Sequence, residues 1–408
     1  MSFLTRRRLA RCHSIADLRE AARKCNPRVM FDYIDGAADD EITMYRNNAG
    51  FGRYDLVPHN LVDVRNIDLR TTVLGQAVEW PVLIAPTGTS RLFHHEGERA
   101  VVRAAAKFGT IYSLSSMASC NIEEVAAAAD VPKWYQIYVW KDRAVVKEFI
   151  RRCRDAGYKS LCLTVDSPTV GHRERDLCNG MTVPPSLTVS SMANAALHPV
   201  WLWHLLTKPR ITLANVKGRP GHGVEKAATL AMTAREQMDA GVTWDDLAWM
   251  VEEWGGPFSI KGVLRPEDAV RALDAGVRGI IVSNHGGRQL DHAPAAIDVL
   301  PGIVDAVRDR GEVILDGGIR RGTDVVKALA LGARACMIGR PYLYGLAAGG
   351  QAGVERALEL LRSEIHLAMM LLGCTSVKAL NRGYLRKRAD ADRETHLAGT
   401  GGMLGGSE

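Results

Sequence analysis

Residues 312–340 read EVILDGGIRRGTDVVKALALGARACMIGR. An apolar run ends in Asp316-Gly317-Gly318. A helix-period stretch follows, and after Gly332 a second apolar run ends in Gly339-Arg340. Both runs are continuous rather than alternating, as in strands covered on both faces. A glycine just before the second run suits the C′ position of a helix. The segment reads as strand, helix, parallel strand.

The same unit recurs toward the N-terminus. Further β-rich runs are PVLIAP (81–86), IYSLSS (111–116), KWYQIYV (133–139), SLCLTVD (160–166), FSIKGV (258–263) and GIIVSN (279–284). With residues 312–318 and 335–340 they make eight. Helical patterns such as EGERAVVRAAAKFG, NIEEVAAAAD, DRAVVKEFIRRCRDAG and PEDAVRALDAG lie between most of them. The expected fold class is α/β: a (β/α)8 TIM barrel with an N-terminal helical segment and a long insertion after strand four. The active site of such a barrel lies at the C-terminal strand ends. All eight ends here are polar or glycine-rich: Pro86-Thr87-Gly88, Ser115-Ser116, Gln136 with Tyr138, Thr164 with Asp166, Lys261, Ser283-Asn284-His285, Asp316-Gly317-Gly318 and Gly339-Arg340.

The 408 residues are 47% hydrophobic, enough for a large core, and carry a net charge of +6. That balance suits small anions or a membrane surface and does not indicate nucleic acid. Eight cysteines contain no C-x-x-C pair, so no zinc motif and no metal ligand set is expected. Cys162 and Cys336 sit in apolar runs and read as buried reduced thiols of a reducing compartment. The Arg-rich start MSFLTRRRLARCHS has no following apolar region, so a basic arm over 1–13 is expected rather than a secretory signal. A capping signature at Ser14 opens a helix. The barrel domain is expected over 14–388, with the insertion at about 177–243 and a disordered tail at 389–408. The expected location is cytoplasmic, or peripheral on the inner face of the membrane.

The insertion has its own signature. No Asp, Glu, Lys or Arg occurs from Leu177 to Thr207, and prolines at 184, 185 and 199 exclude a long helix there. Trp201 and Trp203 are followed by Lys208, Arg210, Lys217 and Arg219. Such a segment can lie in a membrane interface; the alternative is packing on the barrel or a partner subunit.

At the strand ends, Gly317, Gly318, Arg320, Gly339 and Arg340 form two Gly/Arg loops after strands seven and eight, the usual phosphate position of this fold. Lys261 inside an apolar strand needs an anion, or is a Schiff-base lysine, or a cation beside an electron-rich cofactor. His285, at the end of strand six, has room from two glycines, and Asp166 can face it across the barrel mouth as the carboxylate that orients a general base. Arg288 and Arg173 can hold a carboxylate substrate.

These residues sit in FDYIDGAADDE, SNHGGRQLD, DGGIRRGTDVVKALALGA and IGRPYLYGLA. From about residue 14 to 385 the chain resembles the FMN-dependent 2-hydroxy-acid dehydrogenases and oxidases. The resemblance implies oxidation of an L-2-hydroxy acid to the 2-keto acid, L-lactate to pyruvate being the favoured case, with electrons passing to a quinone or cytochrome. It implies His285 as base, Asp166 stabilising the imidazolium, and Arg173, Arg288, Tyr33 and Tyr138 around the substrate. It implies Lys261 beside the flavin ring. Pro86, Thr87, Gly88, Ser115, Gln136, Thr164 and Ser283 would line ring and ribityl, and Asp316, Gly317, Gly318, Arg320, Gly339 and Arg340 would hold ribityl and phosphate. A homotetramer is also implied.

Departures from the family pattern bear on the substrate. Met117 stands where glycolate oxidases place a bulky tryptophan, which suggests a roomier pocket, and Val170 occupies another position that borders the substrate in the family. Gly88 replaces the usual oxidase alanine, which tilts toward quinone or cytochrome acceptors. The GHRERDLCNG stretch with the insertion resembles the membrane-associated members. The alternatives are a mandelate-type dehydrogenase, a glycolate or 2-hydroxy-acid oxidase using O2, a flavoenzyme acting on a peptide or partner-bound substrate, and a lyase with Lys261 as Schiff base.

Overall fold

The computed structural model describes residues 3–181, 188–216 and 238–388. All eight expected strands form, in one closed, wholly parallel barrel. They are β1 (Val82–Ile84), β2 (Tyr112–Ser115), β3 (Lys133–Ile137), β4 (Ser160–Thr164), β5 (Phe258–Val263), β6 (Gly279–Val282), β7 (Glu312–Asp316) and β8 (Ala335–Ile338). Each pairs with its sequence neighbours, and β8 closes on β1 through Cys336 against Val82 and Ile338 against Ile84.

The strands are short and almost uniformly buried, so the barrel is a packed core. Leu83, Trp134, Cys162, Ile281, Ile314 and Met337 fill it. An antiparallel hairpin, Thr71–Val73 with Gln76–Val78, adds Val73, Leu74 and Val78 to that cluster. The Leu74 N–H donates to Glu312 Oε2 at 2.9 Å, and Trp134 Nε1 donates to Gln76 Oε1 at 2.9 Å. Glu312 and Trp134 stand at the starts of their strands, so the hairpin closes the N-terminal end of the barrel. The polar strand ends face the other way.

Among the described residues eight helices surround the barrel: α1 (Gly97–Lys107), α2 (Ile122–Ala128), α3 (Arg143–Asp155), α4 (Trp244–Trp254), α5 (Pro266–Asp274), α6 (Ala296–Val307), α7 (Gly322–Ala330) and α8 (Arg340–Leu372). Asn121 caps α2 with a full capping box. The pattern reading did not separate α4 and α6. The first follows the insertion directly, and the second carries Pro301 inside it, which argues locally against a helix. The helix α8 is broken at Gly349 and Gly350, where Gly350 has φ +61°.

The expected basic arm is not a solvated arm. Phe3–Ala10 is a helix, Leu9 and Cys12 are buried, and Arg8 Nη1 donates to Cys25 Sγ at 2.7 Å. Leu9 packs at Gly349 of α8, while Phe3 and Leu4 stay exposed. Ser14 accepts from the Asp17 N–H at 3.2 Å and caps the next helix, Ile15–Cys25. The expected disordered tail lies outside the described residues.

In the insertion, Pro199 sits in the first turn of a short helix, Pro199–Thr207, after a second one, Val189–Ala196. Pro184, Pro185, Lys217 and Arg219 lie outside the described residues. The two tryptophans part company. Trp201 turns inward and its Nε1 donates to the Leu92 carbonyl at 2.8 Å, whereas Trp203 is 65% exposed, together with Val189, Leu197, Val200 and Leu206. No described helix is long and apolar enough to cross a membrane. All eight cysteines are free; Cys162 and Cys336 are buried, as expected.

The link between N-terminal segment and barrel is polar. Asn47, in the helix Ile42–Ala49, donates to Asn284 Oδ1 at 2.7 Å, and Asn284 returns a bond to Asn47 Oδ1 at 2.9 Å. Asn47 Oδ1 also accepts from the Ala296 N–H at 3.1 Å. Both amides are buried. Asn47→Ala leaves that side of Asn284 and the Ala296 N–H unsatisfied. It is expected to cost about 1–3 kcal/mol in urea unfolding, and an unchanged midpoint would show the link to be dispensable.

Candidate active site

Three strand ends and two loops assemble an ionic network at the barrel mouth. Lys261 is only 4% exposed, and its Nζ lies 2.8 Å from Asp316 Oδ2 and 2.9 Å from Ser283 Oγ. Ser283 donates to the same Asp316 oxygen at 2.8 Å and accepts from the His285 N–H at 3.1 Å. The ends of β5, β6 and β7 are thereby joined through one hydroxyl. Burial pushes the lysine toward neutrality, but Asp316 and Asp166 outweigh it and hold the ammonium charged, above the ordinary lysine range. An amine held charged is a poor Schiff-base nucleophile.

His285 adopts φ +58°, rare for a residue with a side chain. Gly286 and Gly287 follow, also with positive φ. In the tight turn His285 Nδ1 lies 3.0 Å from Asp166 Oδ1, and Nε2 lies 3.4 Å from the Tyr138 hydroxyl. Burial raises the Asp166 carboxyl, yet His285 and Lys261 overcome this and hold it below the ordinary carboxylate range. Its Oδ2 is buried with no hydrogen-bond partner. Burial, then Asp166, pushes the Tyr138 hydroxyl well above the ordinary tyrosine value, so it stays a neutral donor.

Beside this pair, two guanidinium groups converge. Arg288 Cζ lies 5.1 Å and Arg173 Cζ 5.4 Å from the centre of the Tyr33 ring. Burial and the neighbouring Arg173 lower the proton affinity of Arg288. Two half-buried like charges on one aromatic ring favour an anion between them. Asp176, which the sequence reading did not single out, meets part of that need: Arg173 Nε lies 3.4 Å from its Oδ2. Burial raises the Asp176 carboxyl despite both arginines. Its only sequence cue was a position three residues after Arg173.

Tyr33 lies on the helix Arg28–Asp35, ahead of the barrel. The segment is tied over the mouth at two adjacent residues. Asp35 accepts from Arg19, Arg175 and Tyr344. The Gly36 carbonyl accepts from Arg288 and Arg340, each at 2.8 Å.

The Gly/Arg loops fall as expected after β7 and β8, with one difference. Arg340 spends its guanidinium on the carbonyls of Ile34, Gly36 and Gly286, so its side chain ties loops together and does not grip an anion. What it can offer a phosphate is its backbone N–H in the first turn of α8. Arg320 donates Nη1 to the Ile319 carbonyl, and its Nε and Nη2 have no partner among the described residues. A Cβ at Gly339 would meet nothing within 4 Å, whereas one at Gly318 (φ +77°) would strike the Asn47 carbonyl at 2.2 Å.

On the other side of the mouth, Ser115 donates to Gln136 Oε1 at 2.8 Å, leaving Gln136 Nε2 buried without a partner. Thr87 Oγ1 lies 2.5 Å from the Tyr342 hydroxyl, and Thr164 is buried at the end of β4. Pro86 and Gly88 follow β1, where a Cβ on Gly88 would come within 3.2 Å of Met117.

Residues 22–387 match the family model for FMN-dependent dehydrogenases. The chain belongs to the FMN-dependent 2-hydroxy-acid dehydrogenase and oxidase family. It is 43% identical over 378 residues to a putative L-lactate dehydrogenase of Mycobacterium tuberculosis, covering 92% of this chain and 90% of that one. It is 44% identical to an L-lactate oxidase of Nostoc, covering 88% and 93%. A crystal structure of the monotopic membrane protein (S)-mandelate dehydrogenase superposes with a TM-score of 0.88 at 36% identity, over 93% of this chain and all of that one.

The mouth fits the flavin of this family. The unpaired Gln136 amide and the buried Lys261 ammonium are donors for the polar edge of a flavin ring, and the open side of Gly339 with the free edge of Arg320 suits the phosphate. Lys261→Met is expected to weaken FMN binding. It should also destabilise the protein by about 3–5 kcal/mol, because Asp316 is left buried without its cation. Unchanged flavin affinity and an unchanged unfolding midpoint would remove Lys261 from the site.

Proposed function

We propose that the chain oxidises an L-2-hydroxy acid to the 2-keto acid, with L-lactate to pyruvate the favoured case. The observation that carries this reading is the pairing of His285, held by Asp166, with the converged cations Arg173 and Arg288. FMN, when bound, supplies the acceptor for the hydrogen on C2. The two arginines and the Tyr33 hydroxyl hold the substrate carboxylate. That anchor sets the C2 hydroxyl against His285 Nε2, which takes its proton. Asp166, a carboxylate 3.0 Å from Nδ1, stabilises the imidazolium that results and fixes the ring so that Nε2 points into the mouth. Tyr138, kept neutral, donates to the same oxygen. Lys261 would supply a fixed positive charge beside the bound flavin.

The lactate relatives of similar length and the flexible Met117 beside Gly88 support a substrate of lactate size or larger. Gly88 supports a quinone or cytochrome as acceptor. The exposed Trp203, Val200 and Leu206, with Lys208 and Arg210 just beyond, support peripheral contact with an anionic membrane surface, as does the likeness to a monotopic mandelate dehydrogenase. The domain division we favour is a barrel over 14–388 with the insertion at about 177–243. The assembly we favour is a homotetramer, supported by the family resemblance.

The charged state of Lys261 argues against the lyase alternative. His285→Gln keeps the size of the side chain and removes the base. It is expected to retain flavin while the rate of flavin reduction by substrate, followed by stopped flow, falls about 10²–10⁴-fold. Reduction at the parent rate would sink the role of His285.

A further inference from the structure

Away from the mouth, three imidazoles meet where the insertion packs on the barrel. His94 and His95 lie just before α1, and His204 lies on Pro199–Thr207. The ring centroids are 4.4 Å apart for His94 and His95, and 4.1 Å for His95 and His204. Glu96 joins them: one ligand atom each from His94, His95 and Glu96 lie within 4.8 Å of one another. The cluster lines a cleft of about 870 Å³ between the N-terminal helices, α8 and the insertion.

Several features set this apart from an ordinary stack of rings. His95 Nδ1 is buried with no hydrogen-bond partner, and such atoms are rare in a finished structure. His94 Nδ1 has only a 3.4 Å contact from the Glu96 N–H. The break in α8 accommodates the His94 ring, since a Cβ at Gly350 would come within 2.6 Å of it. Burial lowers the proton affinity of all three, that of His94 to about 4. Lys208 is close to the cluster, Arg91 is occupied by the carbonyls of His95, Pro209 and Arg210, and Glu96, whose Oε1 pairs with Arg103, supplies the carboxylate.

We propose that His94, His95 and His204, with Glu96, form a binding site for a divalent transition metal of the zinc class that pins the insertion helix to the barrel. Imidazole and carboxylate ligands suit such ions. Metal–nitrogen bonds of about 2.0–2.1 Å require His94, His95 and Glu96 to close in from their spacing of up to 4.8 Å, and require the His204 ring, 4.1 Å from that of His95 between centroids, to rotate toward them. The pattern had no signature in the sequence because His204 lies far along the chain from the other three ligands.

The test uses the FMN-loaded enzyme, stripped with chelator, dialysed against Zn²⁺ and analysed for metal. One zinc per chain is expected. Loss of a ligand should cost at least as much as loss of an outer-shell partner, about 10–100-fold in affinity, so His95→Ala and His204→Ala should each bind at least roughly tenfold more weakly. His366→Ala, in an exposed position elsewhere, should bind as the parent does. Because His204 is partly exposed on a peripheral helix, its variant is expected to fold even if His95→Ala does not. Zinc should also slow proteolysis within residues 197–211 of the parent but not of His204→Ala. A parent that retains no zinc, or a His204→Ala variant that retains it equally, overturns the proposal.

Discussion

A lysine ammonium enclosed in a barrel core is tenable only with an anion against it, and the architecture of the mouth follows from how that anion is supplied. Asp316 reaches Lys261 from two strands away, with Ser283 between them as donor to one and acceptor from the other. Two buried charges repay their desolvation only when geometry is good and the remaining valences are satisfied. Here the serine satisfies them, and the same hydroxyl accepts from the His285 N–H. The position of the base is therefore fixed by the group that solves the lysine's electrostatic problem.

The second constraint is the pair Arg173 and Arg288. Left to themselves two half-buried guanidinium groups repel, and the protein compensates only in part with Asp176 and the face of Tyr33. The remaining imbalance is what the proposed carboxylate substrate would neutralise. Closing the mouth falls to a segment that precedes the barrel, held down through Asp35 and the Gly36 carbonyl. Arg340 contributes to that closure through Nε, Nη1 and Nη2, which donate to the carbonyls of Ile34, Gly286 and Gly36.

The barrel was legible because each strand is a continuous apolar run with a polar end, and that pattern survives without any knowledge of partners. His285, Asp166 and Lys261 were legible for the same reason: each is a charged or polar group placed where an apolar strand finishes. What could not be read were contacts made across long stretches of chain. Asn47 pairing with Asn284, Asp35 gathering Arg19 and Arg175, and His95 meeting His204 all depend on packing that no local period encodes. The helix over Phe3–Ala10 is hard to read because three consecutive arginines leave Leu9 as its one buried residue. The helix α6 was hidden by Pro301.

The most direct test of the account is anaerobic mixing of the FMN-loaded protein with L-lactate, L-mandelate and glycolate while the visible absorbance of the flavin is followed, with air readmitted afterwards. The account predicts rapid bleaching by L-lactate or the larger acid, slower bleaching by glycolate, and slow recovery in air. A flavin that none of the three acids bleaches would contradict it.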